Sequence, residues 1–309
     1  MITTLTGPNS FLLGYDLTAQ VNRFVAEHGD LALERIDGET IELSRLREAI
    51  TSLPFLANKK LVVLRAPSSN KQFIEQAEIL LQEVSDTTDV IIVEPKLDKR
   101  SAYYKFLKKN TTFTEYAELD VNGLAAWLVR AAKDKGGTLR SNDARYLIDR
   151  VGLNQQMLSN ELEKLLLRDN VITRETIDLL TDPTPQSTIF QLLEAAFAGQ
   201  AERALKLYQE QRALKVEASQ IIAMLAWQLH ILAVIKAAGN RSAADIAAAA
   251  KLSPYVVQKS TAIAKQLSMA ELKQLINDLL DIDLKSKRSN LDVDEALQNY
   301  FLQVALTKH

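Results

Sequence analysis

Cysteine is absent from the 309 residues. That excludes disulfides, thiol nucleophiles and cysteine-ligated zinc, and it suits a reducing compartment. Histidine is scarce: His28, His230 and His309 are scattered and form no H-E-x-x-H or other paired-ligand spacing. Metal catalysis therefore has no footing, and there is no G-x-S-x-G elbow for a serine nucleophile. Neither sign of charge dominates, since the net charge is -2. That argues against a protein that coats nucleic acid by itself, and any such contact must come from local patches or partner chains. The opening MITTLTGPNS lacks a basic segment followed by an apolar stretch, so no signal peptide is expected. The longest apolar helical stretch, 221–238, is interrupted by Gln228, His230 and Lys236, which argues against a membrane span. A cytoplasmic protein with no membrane partner is the expectation.

What is present is an ordinary globular balance, 47% hydrophobic and 25% charged, in a chain long enough for two or three domains. The first third reads as α/β. Leu61-Val62-Val63-Leu64 and Val90-Ile91-Ile92-Val93 are short continuous apolar runs, the pattern of strands buried on both faces of a parallel sheet. Weaker strands are expected at 2–6, 31–36 and 113–119, with helical segments between them at βαβ spacing. Strand character ends at Leu119. Asn122 is expected to cap a helix through Lys133, Ser141 to open a second, and Asn154 a third with Met157, Leu158, Leu162, Leu165 and Leu166 on one face; Thr173 caps a short fourth. Pro183 and Pro185 then mark a boundary. The rest is helical, with starts at Ser187, Glu217, Ser253-Pro254 and the capping-box spacing Ser268 to Glu271. The expected domains are an α/β domain over 1–119, a small helical domain over 120–183 and a larger helical domain over 184–309.

Three stretches carry most of the functional information. A phosphate loop of the form G-x-x-x-x-G-K-[ST] should follow the first strand of a nucleotide-hydrolysing domain. Gly7 stands in place, but Leu12, Leu13 and Gly14 occupy the glycine, lysine and hydroxyl positions. Leucine neither neutralises nor donates to a phosphate, so hydrolysis of ATP is not expected. Glu94, at the end of the Val90 strand, is followed by Pro95 and reads as a strand end. Next, Pro54 should stop a helix over 44–52 and leave Phe55 and Leu56 on a short connection. The residues alone leave two readings open: an apolar anchor for a partner's pocket, or side chains folded back onto the sheet. Finally, 96–109 is read as a basic amphipathic helix with Tyr103, Phe106 and Leu107 inward, either a solvated face or a contact for acidic partners. Asp281 and Lys285 read as a surface ion pair.

Taken in order, these stretches resemble the delta subunits of bacterial replicative clamp loaders. Leu53-Pro54-Phe55-Leu56-Ala57-Asn58-Lys59-Lys60 before the Leu61 strand is similar to that family's small apolar wedge. Leu97-Asp98-Lys99-Arg100 with Tyr104-Lys105 and Lys108-Lys109, Asn160-Glu161-Leu162-Glu163-Lys164-Leu165, and Asp281-Ile282-Asp283-Leu284-Lys285-Ser286 are similar to its later segments, lid and collar. The resemblance implies an ATPase-like (AAA+) α/β domain without a functional phosphate loop, followed by a helical lid and an all-α collar. It implies a chain without catalysis or cofactor of its own, a subunit of the DNA polymerase III holoenzyme. Its partners would be the sliding clamp (beta subunit), the gamma/tau and delta prime loader subunits through the collar, and primed DNA within the complex. The clamp-binding residues it implies are Phe55 and Leu56, with Leu53 as the neighbouring candidate. The alternatives are a helical adaptor with a vestigial nucleotide-binding domain, or an atypical AAA+ ATPase.

Overall fold

Continuous apolar runs become strands here because helices cover both faces of the sheet. The computed structural model describes residues 1–54, 57–288 and 291–306. In it β1 (Ile2–Thr6), β2 (Leu33–Asp37), β3 (Lys60–Arg65), β4 (Thr88–Glu94) and β5 (Thr112–Glu115) form a parallel sheet in the order β2-β3-β4-β1-β5. The connecting helices are α1 (Ser10–His28), α2 (Leu43–Thr51), α3 (Lys71–Gln82) and α4 (Ala102–Asn110). Side chains alternate across a strand. Leu61, Val63, Ile91 and Val93 therefore meet Leu13, Leu17 and Val21 of α1. Val62, Leu64, Val90 and Ile92 meet Leu46, Ile50, Phe73, Leu80 and Leu107 from the helices on the other face.

Several boundaries differ from expectation. Residues 30–32 form a 3₁₀ turn, so β2 starts at Leu33 and Leu31 stays outside it. β5 stops at Glu115, four residues early, although the Tyr116 amide still donates to the Thr6 carbonyl at 2.7 Å. The basic stretch is helical only from Ala102, where the Ser101 hydroxyl accepts from the Tyr104 amide; Tyr104 joins Tyr103 and Leu107 in burial.

The chain divides into two units, Met1–Leu119 and Asp120–His309. The second opens with α5 (Val121–Asp134), capped by Asp120 rather than Asn122 because the Asp120 carboxylate accepts from the Gly123 amide at 2.7 Å. Then come β6 (Thr138–Leu139), α6 (Ser141–Val151), α7 (Gln155–Arg168), β7 (Val171–Ile172) and α8 (Arg174–Leu180). β6 and β7 pair in parallel, strand structure too short to read from sequence, and Met157 of α7 is exposed rather than core-facing. α9 (Pro185–Phe197) begins two residues before Ser187, since Thr184 caps it and Pro185 takes the first helical position. It is followed by α10 (Ala201–Ala213), α11 (Ala218–Ala238), α12 (Ala243–Ala250), α13 (Pro254–Gln266), α14 (Met269–Arg288) and α15 (Val293–Leu306). Around the connection 181–184, the Thr184 amide donates to the Arg150 carbonyl at 3.0 Å and the Ser187 hydroxyl to that of Asp149 at 2.6 Å. α11 is long and apolar enough to cross a membrane by composition alone. Its Ile221, Leu225, Leu229 and Leu232 lie in the core of this unit, and buried Gln228 donates to buried Ser260 at 2.9 Å.

Candidate functional site

In an open α/β sheet, ligands sit beyond the carboxyl ends of the strands where the chain reverses its winding. Here that place lies between β1, whose connection runs to β2, and β4, whose connection runs the other way to β5. One bond crosses it, and further bonds tie the exit of β1 to that of β5 on its other side. The Thr6 hydroxyl donates to the Glu94 carbonyl at 2.6 Å. Gly7, at φ 120°, packs so closely on the Tyr116 carbonyl that a Cβ would overlap it. The Asn9 amide donates to that carbonyl at 3.1 Å, and the Asn9 side chain reaches the Ala117 carbonyl at 3.3 Å while accepting from the Leu12 amide at 3.0 Å. A helix N-terminus holds an anion with free amides; here the Leu12 amide is already taken, and Leu13 is buried against the sheet. Glu94 turns away from the crevice. Its carboxylate accepts from the Ser68 amide and hydroxyl, each at 2.7 Å, and burial pushes its pKa above the ordinary carboxylate value.

The opposite edge of the sheet carries the other sequence candidates. α2 ends at Thr51, with the Ser52 amide on the Glu48 carbonyl at 3.0 Å. Phe55 and Leu56 lie outside the described residues. Leu53 is 77% exposed. It shares a depression of about 350 Å³ with Leu31, Ala32, Leu33, Pro54 and Lys60. The polar groups there pair among themselves: Lys60 contacts Glu34 at 2.7 Å and Ser52 at 3.3 Å. Sequence reasoning missed Leu31 by assigning it to a strand; the signal available was Gly29-Asp30, a turn immediately before it.

Two further surfaces stand out. Along 96–109, Lys105, Lys108 and Lys109 are exposed, whereas Lys99 pairs with Glu115 at 2.5 Å and holds that carboxyl below its ordinary pKa. In the second unit, Ile276, Leu280 and Leu284 form a partly exposed stripe at spacings of four along α14. Ile276 and Leu280 line a groove of about 300 Å³ together with Ile222, Ala226, His230 and Ala233 of α11. On the same helix Asp281 and Lys285 form an exposed pair at 2.6 Å, worth little to stability.

Among the described residues, neither edge of the sheet brings together an acid, base and nucleophile. Exposed apolar side chains are what the described surface offers: Leu31 and Leu53 in the first unit, and Ile276, Leu280 and Leu284 in the second. A family model described as DNA polymerase III, delta subunit, matches residues 4–117, and one described as the C-terminal domain of the same subunit matches residues 186–304. The chain is 24% identical over 318 residues to the DNA polymerase III subunit delta of Bacillus subtilis, covering 97% of this chain and 91% of the relative. Among solved structures it superposes on the Bacillus subtilis DNA clamp loader delta protein with a TM-score of 0.79, at 22% identity, over 99% of this chain and 95% of that one.

Proposed function

Because the chain belongs to the DNA polymerase III delta-subunit family, we propose that it is the clamp-loader subunit that grips the sliding clamp and favours its open form, without hydrolysing ATP. The observation that carries this reading is the match of both family models, in order, to the two ends of one chain. In this reading 1–119 is a degenerate AAA+ domain bearing the clamp-binding element, 120–183 the lid and 184–309 the collar. Phe55 and Leu56 enter a pocket on the clamp, with Leu53 beside them. The exposure of Leu53 past the end of α2 supports a contact at this end of the sheet. The Leu12 amide taken by Asn9, with Leu13 buried against the sheet, supports a domain that no longer cradles a triphosphate. The α11–α14 groove supports a collar that receives the gamma/tau and delta prime subunits. Primed DNA is met within the assembled loader, in the cytoplasm.

The test is binding of the full chain to the sliding clamp, with Phe55 and Leu56 both replaced by alanine. A compact hot spot concentrates binding energy in very few residues, so the double change should weaken binding by at least ~2 kcal/mol, more than tenfold, with an unchanged melt. If the pair were core, the melt would fall instead, because each large-to-small core substitution costs roughly 2–5 kcal/mol. A parent-like affinity or a much lower melt rejects the assignment.

A further inference from the structure

We propose that Leu31 belongs to the same clamp-binding surface as residues 53–56 and supplies it with a second apolar contact from a separate segment of the chain. The inference rests on the reading of 53–56 as the clamp-binding element. Strand register makes the two segments neighbours. β2 and β3 are adjacent and parallel, with Leu33 opposite Leu61. The turn that enters β2 and the connection that enters β3 therefore emerge side by side at one edge of the sheet. Leu31 comes from the first and Leu53 from the second, and both line one depression.

One exposed leucine needs no explanation. Leu31 and Leu53, at 79% and 77%, are the two most exposed large apolar side chains among the described residues of the first unit, and they share a site. Leu31 is not spare core material. Its turn is anchored by buried Ala32 beside it, and the Leu33 amide closes the turn on the Asp30 carbonyl. The turn is already formed, so docking need not order it. The charges in the depression, Lys60 and Glu34, already pair with one another, and covering them strands no lone charge. A protein surface with a small apolar pocket for the two leucines and polar groups around it fits these features, and the continuity with Leu53 and Pro54 makes that surface the clamp.

The experiment uses the full chain and the sliding clamp, measuring affinity by calorimetry and stability by thermal melt, for Leu31→Ser, Leu53→Ser and the Phe55→Ala/Leu56→Ala pair. Leu31→Ser should weaken clamp binding about three- to tenfold with an unchanged melt. Parent-like binding by Leu31→Ser, beside lost binding by the Phe55/Leu56 pair, removes Leu31 from the surface and leaves the clamp-binding reading standing. Parent-like binding by both variants, or no binding by the parent, overturns both. A lowered melt for Leu31→Ser shows a packing role and overturns the inference. So does a parent that self-associates through this leucine, which sedimentation of the same variants would reveal.

Discussion

At the carboxyl end of β4, Glu94 is buried yet accepts two hydrogen bonds from Ser68, which ties the exits of β4 and β3 together. Burial holds its pKa above the ordinary carboxylate value. A carboxyl shifted upward binds its proton more tightly in the folded chain than in the unfolded one. Its contribution to stability is therefore most favourable in acid, and shrinks as pH rises from the ordinary carboxylate value through the folded one. Glu94→Gln retains an acceptor for the Ser68 amide and a donor for its hydroxyl, without a charge to bury. Melts from about pH 5 to about pH 8 should show the Glu94→Gln variant at or above the parent near neutrality, with a flatter pH dependence. Glu94→Ala should instead cost roughly 1–3 kcal/mol, since it removes the acceptor of both Ser68 groups. The sequence showed that Glu94 ends a strand. Its partner lies 26 residues upstream on another connection, and nothing local announces it.

At the scale of elements, α14 carries a stripe of exposed apolar side chains. Ile276, Leu280 and Leu284 recur every four residues, and helical geometry aligns such positions in one stripe. Leu280 is half exposed, so Leu280→Glu should leave the melt of the isolated chain unchanged. Co-purification with the other loader subunits should be lost, because a carboxylate in an apolar contact must be desolvated without a partner. Retained assembly, read by size exclusion of the mixed subunits, rejects the groove as a contact. Element ends that rest on local chemistry were legible: Asn154 caps α7, Thr173 caps α8, and Ser268 and Glu271 exchange both bonds of a capping box. The misses have tertiary causes. Residues 116–119 leave the sheet while Tyr116 closes over Gly7, and residues 30–32 curl into a turn before β2.

For the whole molecule, each unit has its own buried residues: the two sheet faces in 1–119, and in the second unit a cluster running from Ile189 to Val304 together with buried Leu128, Leu147, Leu158, Leu162 and Ile177. A fragment of residues 1–119 should thus melt cooperatively and retain the clamp affinity of the full chain within a few-fold, yet fail to join the other loader subunits. A fragment that does not fold, or one that assembles, shows the division of labour to be wrong. A cut at Asp182 is less clean, since it removes Thr184 and Ser187 from the carbonyls of Arg150 and Asp149. The sequence by itself determined the α/β character of the first third, the helical remainder and the loss of the phosphate-loop lysine. Strand alternation, caps and motif positions act over a few residues, and a few residues are enough to read them. Only the tertiary structure decided that β4 lies between β3 and β1, that Leu31 stands beside Leu53, and that α11 and α14 share a groove. Those juxtapositions join segments far apart in the chain, and they are selected by burying whole faces of helices and sheet at once.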